Sequence, residues 1–122
     1  MKKFFIILLL GLHVFLPAQG SPEPIKIGFL VKLPEEIWFE QELNYAQQCA
    51  ETYNFELIPI GIPDAEKTLS AIDSLAAQGA QGVVICPPDV QLGPAIMARA
   101  QQYKLKVLNI DDRFLNADGT VM

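Results

Sequence analysis

Two short segments hold the residues that could do chemistry. Lys32, Glu35, Glu36, Trp38 and Phe39 stand together in KLPEEIWF, and Asp111 and Asp112 stand together in NIDDRF near the other end of the chain. One cation, several carboxylates and two aromatic rings suit an uncharged polyol. Carboxylates accept hydrogen bonds from hydroxyls, an ammonium donates to hydroxyl or ring oxygens, and an indole lies against the C–H face of a sugar ring. The same residues also have plainer readings. Trp38 and Phe39 can open the packed face of a helix, and Glu35 and Glu36 are favourable first-turn charges on a helix dipole. Asp111 and Asp112 can be ordinary loop or cap aspartates. The residue types alone leave both readings open.

Other chemistries fit less well. A dinucleotide site needs G-x-G-x-x-G after the first strand, and that segment has no glycine. Two glutamates at a helix start would repel phosphate. The aspartate pair could serve as general acid and base, but adjacent strand residues point to opposite faces and rarely flank one bond. Phosphoacceptor receiver domains also combine acidic pairs with a lysine, yet they are cytoplasmic and carry the pair after their first strand. His13 is the only histidine and lies in an export segment described next. Without it, Ser-His-Asp and Cys-His catalysis and histidine metal sites are excluded. No cofactor, metal or enzymatic activity is expected. Cys49 and Cys86 are expected as two packed thiols, since a disulfide-built scaffold would carry more cysteines.

These segments must be positioned by a fold. The 122 residues are 51% hydrophobic and 19% charged, which excludes a disordered chain. Met1-Lys2-Lys3 forms a basic start, Phe4 to Leu16 an apolar run, and Pro17-Ala18-Gln19-Gly20 a small-x-small cleavage site. The thirteen-residue run is short of the roughly 20 that a spanning helix needs. The expectation is a signal peptide over 1–20 cleaved after Gly20, a linker over 21–24, a domain over 25–122, and a location in the periplasm with no stable membrane insertion. Losing Lys2 and Lys3 leaves seven basic residues against fourteen acidic ones, a formal charge of −7 over 102 residues. An acidic surface argues against nucleic acid and anionic membranes as partners.

Within the domain, strands are predicted over 25–31, 55–60, 82–86 and 106–110, and helices over 35–53, 65–78 and 90–103. The first helix places Phe39, Leu43, Ala46, Ala50 and Tyr53 on one face. The second starts after Asp64 as N-cap, stops at Gly79, and presents Leu69, Ile72 and Ala76 inward. The third has Asp89 as cap, Pro94 in its first turn, and Leu92, Ile96, Ala100 and Tyr103 as its inner stripe. Strands that are apolar on both faces and alternate with helices predict an α/β fold: a doubly wound parallel sheet with three α/β/α layers. Ligands of such sheets bind beyond the carboxyl ends of the strands, where both chemical segments fall.

The segments KIGFLVKLPEEIWFEQE, IPDAEKTLSAIDSLAAQGAQGVVICPPDVQLGPAI and VLNIDDRFLNADG resemble the periplasmic monosaccharide-binding receptors of ABC importers, the L-arabinose-binding ones in particular. These belong to the class of periplasmic binding proteins related to the LacI sugar-sensing domain. The similarity covers 25–119 and includes the unusual K-x-P-E-E-x-W-F. It implies that Lys32 and Glu36 hydrogen-bond sugar hydroxyls and ring oxygen, and that Trp38 stacks on the pyranose beside Phe39. It further implies that Asp111 and Asp112 accept from sugar hydroxyls. Ile37 stands where the family often has proline, and Arg113 where it has a smaller polar residue. The resemblance also implies two lobes that close on the sugar by a hinge and an ABC permease as partner. Against that frame the chain reads as an incomplete N-terminal lobe, expected to bind a monosaccharide weakly. A truncated product with little or no binding is the alternative.

Overall fold

A computed structural model describes residues 22–122; the expected export segment lies outside the described residues. The elements follow in the order β1 (Lys26–Val31), α1 (Ile37–Tyr53), β2 (Glu56–Gly61), α2 (Ala65–Ala77), β3 (Gly82–Cys86), a 3-10 turn (Val90–Leu92), α3 (Gly93–Gln102) and β4 (Lys106–Asn109). The predicted boundaries hold closely except before α3. There Pro94 has no N–H to offer Val90, whose carbonyl instead accepts from Gly93 and from Leu115 across the fold. The first turn tightens to a 3-10 form, capped by Asp89, which accepts from the Gln91 amide at 2.9 Å.

Within the sheet the strand pairings among the described residues are all parallel, in the order β2-β1-β3-β4. The chain leaves β1 outward to β2 and then crosses back over it to β3, so helices cover both faces. Side-chain alternation sorts the residues accordingly. Leu30, Val83 and Ile85 pack with Ala71, Ile72 and Leu75 of α2 and with Ile96 and Ala100 of α3. Phe29, Val31 and Cys86 face the other way, against Phe39, Leu43 and Ala46 of α1. Gly28 lets α2 approach the sheet: a Cβ there would run into the side chain of Leu75. Asp64 caps α2 as expected, accepting from the Lys67 amide at 2.7 Å, and Gly79 ends it in the left-handed region at φ 77°.

Five packing expectations change. The buried arc of α2 is Thr68, Ala71, Ile72 and Leu75, with Leu69 and Ala76 only at its margins, because α2 is covered by α3 as well as by the sheet. Thr68 sits there with its hydroxyl satisfied by the Asp64 carbonyl at 2.7 Å. Tyr53 is exposed, since α1 ends at that residue and the chain turns at left-handed Asn54 toward the edge strand. Tyr103, just past the end of α3, is also exposed, though only to 39%. Of the two thiols, both unpaired, Cys86 is packed but Cys49 is exposed on the outer side of α1. β4 departs as well: Leu108, on the α1 side of the sheet, is 59% exposed among the described residues.

Candidate functional site

The sheet reverses its strand order between β1 and β3, and the segments after β1, β3 and β4 meet beyond their carboxyl ends. Lys32 directly follows β1. Its ammonium reaches across to Asp112, 80 residues away, and donates to Oδ2 in a close ion pair. Its stem is largely covered while the Asp112 side chain is 43% exposed. The bonded Asp112 carboxylate holds the Lys32 ammonium above its usual pKa. Cys86, at the end of β3, lies beneath with its Sγ 3.9 Å from Asp112 Oδ2. Burial pushes that thiol up to about 11, so at neutral pH it is a packed neutral group and no nucleophile.

The turn that presents the two aspartates is built by Asn109, a residue that sequence reasoning passed over. Its side-chain amide donates to the carbonyls of Ile85 at 3.1 Å and Asp112 at 2.8 Å, and its Oδ1 accepts from the Phe114 amide at 2.9 Å. Phe114 is itself buried in the core. The turn places Asp111 in the left-handed region at φ 57°, which aspartate tolerates better than most residues. An amide ending the apolar run KVLN was the available signal. Asp111 faces α1, where its carboxyl meets Glu42, and Glu42 in turn meets the indole of Trp38. Glu42 was also missed; its signal is an acidic residue directly beside Leu43 on the inner stripe.

The remaining predicted residues fall in three different settings. Glu36 occupies the N-cap position of α1 and is exposed, making no capping bond with its side chain. It joins Lys32, Pro34 and Gly61 around a groove of about 370 Å³, within the range of small-ligand sites. Trp38 is 62% exposed and shares a shallow hollow of about 250 Å³ with Gln41, Glu42 and Tyr45. Phe39 is 5% exposed and forms part of the core beneath, against Phe29, Val31 and Cys86. Lys32, Asp111 and Asp112 are thus brought together, Trp38 is linked to them through Glu42, and Phe39 supports them from below. A larger hollow of about 560 Å³ lies between α3 and β4, beside Met97, Lys104 and Met122, and includes none of these residues.

Residues 24–121 match the family model described as periplasmic binding proteins and sugar binding domain of LacI family. The chain is 50% identical over 113 residues to the L-arabinose-binding periplasmic protein of Escherichia coli (strain K12), covering 93% of this chain and 34% of that protein. It is 54% identical over 102 residues to an ABC transporter L-arabinose-binding periplasmic protein of Azospirillum brasilense, covering 84% and 30%. The chain therefore spans about a third of the length of these relatives. Among solved structures, a periplasmic solute binding protein of Actinobacillus succinogenes with bound D-allose superposes with a TM-score of 0.68 at 16% identity, over 78% of this chain and 34% of that one. A galactofuranose binding protein superposes with a TM-score of 0.67 at 24% identity, over 77% and 32%. At such identities these structures establish the fold. No helix among the described residues is long and apolar enough to cross a membrane.

Proposed function

The chain belongs to the family of periplasmic binding proteins and LacI-type sugar-binding domains, and on that premise we propose that it is a sugar receptor of an ABC importer. Its ligand is L-arabinose or a closely related monosaccharide, met in the periplasm and handed to a membrane permease. The protein works by binding and carries out no reaction. The relatives named above are binding proteins, and the strand ends hold a cation, carboxylates and an exposed ring with no activated nucleophile among them. The net charge of −5 supports a neutral ligand over nucleic acid.

The observation that carries this reading is the Lys32–Asp112 pair at the point where the strand order reverses. An ion pair there, flanked by a second aspartate, offers donor and acceptors within the reach of one hydroxylated ring. Lys32 donates to a ring or hydroxyl oxygen, while Glu36, Asp111 and Asp112 accept from hydroxyls. Trp38 offers an apolar face for the sugar's C–H bonds, and Phe39 acts from beneath by holding the start of α1 in place. The described residues leave this rim open to solvent, so much of the ligand's surface stays wet and affinity on these contacts alone is modest.

Calorimetric titration with L-arabinose, D-galactose and a non-sugar polyol tests the reading. Saturable heat with one of the sugars, lost in Asp112→Ala, is the expected result. A protein that binds no monosaccharide, or that binds equally well without Asp112, contradicts it.

A further inference from the structure

Glu42 belongs to neither segment that the sugar-site reading used, yet it joins them. From α1 its carboxyl meets two groups: the Asp111 carboxyl beyond β4, and the indole of Trp38 one turn earlier on the same helix. One of its oxygens, Oε2, is enclosed, and no donor group among the described residues reaches it. A carboxylate oxygen in that position has lost its water and gained nothing in exchange. A second carboxylate facing it adds like-charge repulsion. The Asp111 carboxyl is exposed on the rim, while its backbone is held in the left-handed region and Asn109 holds the carbonyls on both sides of it, Ile110 at 3.3 Å and Asp112 at 2.8 Å. A proton on Glu42 removes that repulsion and supplies the donor that joins the two carboxyls.

We propose that Glu42 is a positioning residue of the rim: in its protonated form its O–H donates to Asp111, which aims the remaining lone pairs of that carboxylate toward the sugar, while its carbonyl oxygen accepts from the indole N–H of Trp38. The functional half of this proposal rests on the sugar-site reading. The groups that face Glu42 are Asp111 across the gap and Trp38 on its own helix. Behind Asp111 stand Asp112, Cys86 and the Lys32 ammonium, which is attracted to both aspartates. That cation stands on the Asp111 side of the pair, and the proton is assigned to Glu42, the more enclosed of the two carboxyls. Burial, and then the neighbouring Asp111 charge, hold the Glu42 carboxyl above its ordinary value. The arrangement is therefore intact at low pH and comes apart as pH rises through the folded value, and sugar affinity falls in the same direction.

Trp38 is the single tryptophan of the chain, so its emission reports on Glu42 in the absence of any sugar. A pH titration of the purified protein is expected to show an emission midpoint above the ordinary glutamate value of 4.5. That transition should vanish in Glu42→Gln and move down toward the ordinary value in Asp111→Asn. Its absence from the parent protein, or its survival in Glu42→Gln, overturns the proposal. Affinity for L-arabinose below the midpoint forms the second arm. Glu42→Gln, whose amide still donates to Asp111, should keep the parent affinity, and Glu42→Ala should lose up to about tenfold, one hydrogen bond's worth. Equal affinity in all three proteins removes the positioning role. If no variant binds sugar while the emission transition behaves as described, the sugar-site reading fails and the shared proton stands.

Discussion

On the proposed sugar-site reading, Lys32 matters little to stability and greatly to binding. Its partner Asp112 is 43% exposed, so solvent screens the pair and its contribution is about 1 kcal/mol or less. The bonded Asp112 raises the lysine above its unfolded value of 10.5. A raised lysine stabilises the fold below that unfolded value, and the contribution disappears as pH climbs through the folded one. Lys32→Met should thus lower the urea midpoint slightly at neutral pH and not at all in strongly alkaline solution, while sugar binding disappears at every pH. Loss of folding in this variant would mean that the pair is structural. The candidate residues were legible at this scale because their types are unusual for strand ends. Asn109 and Glu42 were not, because an amide that braces a turn and a carboxyl that meets another across the fold act only through partners far away in the chain.

At the scale of elements, the close approach of α2 to β1 turns on one contact. Gly28→Ala drives a methyl into Leu75 and should cost about 1–3 kcal/mol. Leu75→Ala leaves a cavity in the core and should cost about 2–5 kcal/mol. The added methyl fits part of the space that Leu75 vacates, so the double variant should be less destabilised than the sum of the two. Denaturant unfolding of all four proteins measures that coupling directly, and strict additivity would show that the two residues do not share the space. Element identities were readable from periodicity, capping Asp64 and Asp89, and the stop at Gly79. The width of the α2 stripe was not, because it depends on α3 lying beside α2, and no periodicity within α2 records a neighbour.

At the scale of the whole molecule, the two faces of the sheet are unequal among the described residues. α2 and α3 cover most of one side, with Ile58, Ile60 and Val107 partly buried at its edges, whereas on the other α1 leaves Leu108 of β4 open, beside a small apolar hollow that includes Ile27 and Val84. An apolar patch next to a strand edge favours self-association. Leu108→Glu should reduce concentration-dependent association in sedimentation velocity without lowering stability appreciably; unchanged association would place the contact elsewhere. The sequence by itself determined the parallel α/β architecture and put the candidate residues at the strand ends, because strand runs apolar on both faces admit few other packings. Its residue types admitted a sugar without deciding for one, and the resemblance of three segments to monosaccharide receptors favoured it. The tertiary structure decided which of those residues meet. The strand order β2-β1-β3-β4 brings Lys32 to Asp112 across 80 residues, sets Asp111 against Glu42, and buries Phe39 under the rim. Such encounters follow from strand order and from which face a helix covers, and both are properties of the assembled sheet that neither segment carries alone.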